Sequence, residues 1–324
     1  MSLATRLQQR WYSDLPPPWW TLPLEAVYRS VSASRARRAS PVAIGAPVIV
    51  VGNITVGGTG KTPLTLAIVQ ELRARGMNPG VVSRGYGGSQ VEPALLPEGA
   101  TAGQFGDEPA LMRQAGAVVA VGRDRPAAAR LLVEHGCNVV VADDGLQHMR
   151  LARNVEICVI DGARRFGNGR LLPAGPLREP VSRLATVDFV VCNGGTASAD
   201  EIPMSLYGSE AESLLDPTRR LLLEYFRGRT VHAVAGIGNP GRFFQGLRGR
   251  GIDVIEHPFP DHHDFLPGDI AFGDGHPVLM TAKDGMKCRT FATPDVFVVP
   301  VAAHCPISFY DQLAERVVAE ARRG

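Results

Sequence analysis

Val48-Ile49-Val50-Val51-Gly52-Asn53-Ile54-Thr55-Val56-Gly57-Gly58-Thr59-Gly60-Lys61-Thr62 is the stretch on which the fold turns. A run of β-branched residues long enough for a buried strand feeds a glycine-rich turn, and the turn opens a helix. The glycines let backbone N–H groups face inward around phosphate oxygens. Lys61 can neutralise β- and γ-phosphate charge, and the Thr62 hydroxyl can hold Mg²⁺. The predicted nucleotide-binding residues are therefore Thr55, Val56, Gly57, Gly58, Thr59, Gly60, Lys61 and Thr62. Beyond them the helix reads correctly: Pro63 fits its first turn, Leu64, Ala67, Ile68 and Leu72 form one apolar stripe, and Gly76 is a suitable stop. Thr55 stands where the P-loop consensus has its first glycine.

Outward from this loop, short β-branched runs alternate with helical stretches, the pattern of parallel sheets with crossover helices. Strands are expected at Val48–Val51, Val81–Ser83, Val118–Val121, Val139–Ala142, Ile157–Ile160 and Phe189–Val191. A second series runs through Val231–Ala235, Ile252–Ile255, Val278–Thr281 and Val296–Val301. The expected fold is α/β: a P-loop NTPase-like parallel sheet with helices on both faces, plus a second, smaller α/β domain. The Gly- and Ser-containing segment from Asn193 to Pro203 places the boundary between domains 1–192 and 193–324, and a last helix, Ser308 to Arg323, can pack on either.

The chain of 324 residues, 45% hydrophobic, suffices for two cores. Its 34 basic and 32 acidic residues leave a formal charge of +2, which gives no field arguing for nucleic acid. Five cysteines without paired spacing disfavour a disulfide framework or a zinc cluster and suit a reducing cytoplasm. No secretory signal and no uninterrupted apolar span is evident. Yet Trp11, Tyr12, Trp19, Trp20 and Tyr28 concentrate the chain's Trp and Tyr residues near its start. Trp20, Leu24, Val27, Tyr28 and Val31 share a helical face, followed by Arg35, Arg37 and Arg38. Such a helix either docks its apolar face on the core or contacts a membrane surface.

A second strand, Val139 to Ala142, ends in Asp143 and Asp144, at the carboxyl edge where parallel sheets bind ligands and an Asp can hold Mg²⁺; a turn or N-cap role would explain one of the two. A GTPase switch needs glycine three places after such an Asp, and here Leu146 stands there. Thr281-Ala282-Lys283-Asp284 likewise has its lysine one place too late for a guanine-binding motif.

The stretch Gly52 to Pro63, atypical Thr55 included, closely resembles the signature of the tetraacyldisaccharide 4'-kinase family, the lipid A kinases. The resemblance continues through Ser83-Arg84-Gly85-Tyr86-Gly87-Gly88, Gly106-Asp107-Glu108-Pro109, Asp143 to His148, and Pro173-Ala174-Gly175-Pro176-Leu177-Arg178-Glu179-Pro180. In the second domain it includes Ala235 to Pro240, Phe243-Phe244 and Phe259-Pro260-Asp261-His262-His263, so it spans the chain from Trp19 to Phe309. Ala282 replaces the glutamate of the family's Thr-Glu-Lys-Asp, which puts a role for that one side chain in doubt. The resemblance implies transfer of the ATP γ-phosphate to the 4'-hydroxyl of a tetraacylated glucosamine disaccharide 1-phosphate. The product would be the bis-phosphorylated lipid A precursor, lipid IVA, made at the cytoplasmic face of the bacterial inner membrane by a peripheral enzyme.

It further implies that Asp107 accepts the hydroxyl proton and that His262 orients it; the N-cap reading of Asp107 is the alternative, and since neighbouring side chains point different ways only one of His262 and His263 can face the phosphate, which the sequence leaves open. Arg84, Gln147 and Arg178 become candidates for binding nucleotide or substrate, with surface ion pairs as the alternative for the arginines. The expected cofactors are ATP and Mg²⁺, the expected partners the acylated disaccharide and a membrane surface, and no obligate protein partner is inferred. The rival class is a P-loop NTPase acting as a metallochaperone or switch on a protein partner.

Overall fold

A computed structural model describes residues 3–322 of the chain; Arg323, where the last helix was expected to end, lies outside them. In the first half the strands are β1 (Val48–Gly52), β2 (Pro79–Ser83), β3 (Ala94–Leu95), β4 (Val118–Val121), β5 (Val139–Asp143), β6 (Val155–Asp161), β7 (Phe189–Asn193) and β8 (Ile202–Tyr207). The second half adds β9 (Glu210–Ser213), β10 (Arg220–Leu222), β11 (Thr230–Ala235), β12 (Asp253–Pro258), β13 (Val278–Thr281), β14 (Val296–Val299) and β15 (Ala302–His304). The helices are α1 (Leu3–Trp11), α2 (Thr21–Arg38), α3 (Lys61–Ala74), α4 (Ala102–Phe105), α5 (Asp107–Gln114), α6 (Arg125–Glu134), α7 (Pro240–Arg248), α8 (Ala282–Cys288) and α9 (Ile307–Ala321).

Every expected strand forms, and they assemble into two sheets. The larger has the order β15-β8-β7-β6-β1-β5-β2-β4-β3, parallel through its centre with antiparallel edges at β15 and β3. Its residues alternate between two cores. Ile49, Val51, Val141 and Ile157 pack under α3, α5 and α9, whereas Val50, Val140, Ala142 and Ile160 pack with α6 residues Ala128 and Leu132. Coverage of both faces explains why these strands read as unbroken apolar runs. The arrangement is a P-loop NTPase-like fold.

The smaller sheet, β10-β9-β14-β13-β11-β12, is parallel from β14 to β12 and antiparallel where β9 and β10 join. The chain leaves the large sheet after β8 and returns at β15, so the crossings fall at Tyr207–Glu210 and Val299–Ala302 rather than at 193. The segment past 193, expected to be the domain boundary, instead leads into β8, which tolerates Pro203 because β15 pairs only with Ser205 to Tyr207 and leaves the proline without a partner on that side. Helix α9 packs on the large sheet through Phe309, Leu313 and Val317.

Helix α2 reverses the usual amphipathic arrangement. Thr21 and Glu25 are buried and Tyr28 half-buried, while Leu22, Leu24, Val27 and Val31 are exposed, Val27 to 61% and the preceding Trp19 to 82%. The predicted stripe is therefore split: Trp20 and Tyr28 turn towards the protein, Leu24, Val27 and Val31 away from it. Glu25 is the reason. Its carboxylate accepts from the Arg170 guanidinium at 3.1 Å and from the Leu171 amide at 3.1 Å, and the Tyr28 hydroxyl donates to the Arg178 carbonyl at 3.2 Å. The helix is thus seated by polar contacts and leaves its apolar side to solvent, which excludes docking of that side on the core.

Candidate active site

The P-loop leaves β1 in the middle of the large sheet and returns into α3. Gly57 and Gly60 take positive φ of 105° and 93°, and a Cβ on Gly60 would lie 2.4 Å from Asn193 Nδ2, so only glycine fits there. Thr55 is tolerated because its backbone is not in that region. It bridges Leu177 as an isolated antiparallel pair, and its carbonyl accepts from Asn53 Nδ2 at 2.7 Å. Asn193, at the end of β7, fixes the loop from below by donating to the Thr59 carbonyl at 2.8 Å.

The neighbouring carboxylates, Asp143 and Asp144, diverge. Asp143 is fully buried; one oxygen accepts from Thr65 Oγ1 at 3.1 Å, and Oδ2 has no hydrogen-bond partner among the described residues. Burial, then the charges of Glu108 and Asp144, push its pKa up to about 7. Asp144 has a positive φ of 48°, which turns its side chain out towards Lys61 (3.6 Å) and Arg178 (3.2 Å to each oxygen). Burial works to raise its pKa, but the Lys61 and Arg178 charges outweigh it and hold Asp144 down at about 2.

A buried carboxylate oxygen lacking a donor is the environment a hard cation completes, and Thr62 lies at the start of the adjacent helix. The residues present thus fit Mg²⁺, with Asp143 and Thr62 as the direct candidates. Asp144 is already engaged by two cations.

Of the expected substrate residues, Gln147 and Arg178 join this network. Gln147 donates to the Asn53 carbonyl (2.9 Å) and Glu179 (2.7 Å) and accepts from Arg178 (3.3 Å). Arg84 sits exposed after β2, near enough to Arg125 and His148 for their charges to interact, and makes no hydrogen bond or ion pair among the described residues. Burial first, then this arginine cluster, lowers the His148 pKa to about 4, so its ring is neutral at physiological pH. Arg125, 3% exposed, donates to the Asp143 carbonyl at 3.0 Å and holds the end of β5.

Asp107 opens α5, whose start lies at the same carboxyl edge because the helix runs down to the beginning of β4. The structure brings His262 to it from the other domain: Nδ1 stands 3.0 Å from Asp107 Oδ2 and must donate when the carboxylate is ionised. His262 adopts a positive φ of 63°, a conformation costing a non-glycine residue on the order of 1–3 kcal/mol, and its ring lies 5.2 Å from that of Tyr86. His263 points elsewhere, to Asp269 at 3.0 Å and against Phe259. Burial works to raise the Asp107 pKa, but hydrogen bonds from His262 and Lys287 outweigh it, and the net shift is downward.

A second contact joins the domains at the P-loop. Arg164 donates to the Gly58 carbonyl (3.0 Å) and the Gly238 carbonyl (3.1 Å) while pairing with Asp161 (2.9 Å); Arg242 and Asn239 reach the same carboxylate at 2.9 and 3.3 Å. A Cβ on Gly238 would fall 2.3 Å from the Gly58 nitrogen, so this close approach requires glycine. Sequence reasoning did not single out Asp161, although β6 ending in Asp carries the same signal as β5 ending in Asp143. The motif Thr281 to Asp284 also gains a purpose: Thr281 caps α8, and Asp284 accepts from the Gly236 amide at 2.9 Å, fixing the loop that meets the P-loop. Ala282, where the family has glutamate, makes no part of this.

A phosphate cradle at the same sheet edge as a carboxylate that a histidine holds from across a domain cleft defines a P-loop phosphotransferase of the kind that moves phosphate to an alcohol. Residues 18–318 match the family described as tetraacyldisaccharide-1-P 4'-kinase, and the chain belongs to that family. It is 47% identical to the tetraacyldisaccharide 4'-kinase of Stenotrophomonas maltophilia (strain R551-3), covering 97% of each chain. To the same-named protein of Azoarcus sp. (strain BH72) it is 47% identical, covering 95% of this chain and 94% of the relative. Among solved structures it is similar to LpxK from Aquifex aeolicus in complex with ATP, with a TM-score of 0.73 and 26% identity over 93% of this chain and 98% of that one.

Proposed function

We propose that the protein transfers the γ-phosphate of ATP to the 4'-hydroxyl of tetraacyldisaccharide 1-phosphate, forming lipid IVA, and that it works at the cytoplasmic face of the inner membrane. The observation carrying this reading is the placement of Asp107 and His262 on opposite domains at the mouth that also holds Lys61 and Asp144. Membership of the kinase family speaks against the switch or metallochaperone alternative.

In this reading the amides of Gly58 to Thr62 and the Lys61 ammonium take the phosphate charge. Mg²⁺, held by Thr62 and Asp143, would supply further charge neutralisation on the phosphate oxygens. The 4'-hydroxyl loses its proton to Asp107 Oδ1, which has no hydrogen-bond donor among the described residues, as its oxygen bonds to the γ-phosphorus. The bond from that phosphorus to the β–γ bridging oxygen breaks, and ADP leaves with the electron pair. His262 keeps Asp107 oriented through Oδ2. Arg178, itself bonded to Gln147, steadies Asp144, and the exposed Arg84 is available to an anionic group of the substrate.

The exposed apolar side of α2, with Trp19 before it and Arg35, Arg37 and Arg38 in its last turn, suits shallow insertion beside anionic headgroups. No helix among the described residues is long and apolar enough to cross a membrane, which fits peripheral attachment.

Incubation with Mg-ATP and the acylated disaccharide should yield a product heavier by one phosphate. ATP hydrolysis without that product would contradict the reading. Replacing Val27 and Val31 by Asp should release the protein from vesicles containing anionic lipid while leaving ATP binding intact; undiminished co-sedimentation would argue against α2 as the contact.

A further inference from the structure

Asp107 is held from the second domain by two residues. The Lys287 ammonium, on α8, stands 2.9 Å from Asp107 Oδ2, the same oxygen that meets His262, and donates to the His263 carbonyl at 3.1 Å. One side chain therefore grips both the carboxylate and the backbone beside the histidine. Its side chain is 13% exposed. Helix α8 is itself firmly seated: Thr281 caps it, Asp284 ties it to Gly236, and Cys288 is fully buried. One turn earlier Lys283 reaches Asp261 at 3.1 Å and Glu108 at 3.6 Å. The helix thus presents two ammonium groups to three carboxylates, bridging the cleft where the acceptor must bind.

We propose that Lys287 is a positioning residue for the phosphoryl-acceptor step: it holds Asp107 ionised through Oδ2, leaves Oδ1 free for the sugar hydroxyl, and fixes the backbone that carries His262. The inference rests on the reading of Asp107 as proton acceptor. Its physical basis is that a carboxylate removed from water tends to protonate, and a protonated acid cannot take the hydroxyl proton. His262 can relieve this only in part, since its Nδ1 gives the carboxylate a single hydrogen bond. An ammonium stays charged. It lowers the basicity of Asp107 somewhat, which a phosphoryl transfer tolerates because bond making to the nucleophile lags in a loose transition state. Lys287 keeps all its protons throughout; the hydroxyl proton resides on Asp107.

The groups facing Asp107 are His262, Lys287, Lys283, the adjacent Glu108 and Asp261, with the Tyr86 ring over His262. With burial opposing, the hydrogen bonds of His262 and Lys287 and the charges of both lysines carry the downward shift of its pKa. Removing one ammonium should therefore raise it.

The test uses the full chain with Mg-ATP and the acylated disaccharide in detergent micelles. Lys287→Met should lower kcat roughly 30- to 300-fold, within the span ascribed to acid–base assistance, with ATP affinity and the lipid KM within about twofold of the parent. The acid limb of the kcat–pH profile should move up by about one pH unit. Lys287→Arg should restore the limb, because the guanidinium preserves the charge, and recover part of kcat. Lys287→Gln, which keeps a hydrogen bond without charge, should shift the limb as Met does, and it provides the same reading if Met unseats α8. An unmoved limb and parental kcat in Lys287→Met and Lys287→Gln, beside an inactive Asp107→Asn, would overturn the role of Lys287 alone. A loss of ATP affinity equal to the loss of kcat would also overturn it, as the mark of a merely structural ion pair. Turnover surviving in Asp107→Asn would instead remove the reading beneath it.

Discussion

The carboxylates at the end of β5 and the carboxylate at the start of α5 belong to one crevice but are built in different ways. Asp143 and Asp144 take every partner from the large sheet's own domain: Thr65, Lys61 and Arg178. Asp107 takes both of its partners, His262 and Lys287, from the other domain. The carboxylates of the phosphate side are consequently held without the second domain, although Gly238 packs on the P-loop at Gly58, whereas both partners of Asp107 come from the second domain. Were the domains to separate, the phosphate side would keep its carboxylate network while Asp107 would lose both partners, so that bringing them together would complete the acceptor side and limit transfer to water.

Breaking the phosphate side should have the largest effect. Lys61→Met should reduce turnover by about a thousandfold or more and weaken ATP binding measurably by calorimetry, since it removes a cation the transferring phosphate needs. Retained affinity would mean that the loop amides alone suffice.

Asp143→Asn sharpens the comparison because it separates function from stability. We expect turnover to fall roughly 100-fold and its Mg²⁺ dependence to weaken. The protein without nucleotide or metal should become more stable at pH 8 by roughly 1–3 kcal/mol. The sign follows from the pKa raised to about 7: between the unfolded value near 4 and 7 the folded state binds more protons, so stability declines as pH rises. Thermal melts across pH 4–8 should show that decline in the parent and a flatter profile in the variant.

On the acceptor side, His262→Gln should lower kcat by about 10- to 100-fold and leave the ATP dissociation constant unchanged, because Asp107 and Lys287 remain. A matching loss of ATP binding would mean that the two sides are not independent.

Weakening the attachment of α2 should have the smallest effect. Glu25→Gln loses charge-assisted bonds to Arg170 and the Leu171 amide, and should cost about 1–2 kcal/mol in denaturant unfolding. Unchanged kcat for a water-dispersed substrate would place the helix outside the chemistry.

What was legible in the sequence was what is encoded locally. The P-loop, the ends of the parallel strands and the helix after Lys61 each follow from spacing within a few residues. Asp143 and Asp144 read as equivalent because what separates them, Thr65 on one side and Lys61 with Arg178 on the other, arrives from distant parts of the chain. The apolar residues of α2 were visible but their orientation was not, since it depends on a buried Glu25 whose partners lie at Arg170 and Leu171. The short strands β8 and β15 escaped notice because they join only one another and β7 at the sheet's margin, with Pro203 in the first. Lys287 carried no local signal at all: a lysine on a short helix acquires significance only from the carboxylate it meets across the cleft.

The most direct test of this division is a paired measurement on Asp107→Asn: ATP affinity by calorimetry and phosphorylated lipid by mass spectrometry. The account predicts parental affinity with product formation reduced by about 1,000-fold or more. Product formed at the parental rate, or ATP binding lost together with activity, would contradict it.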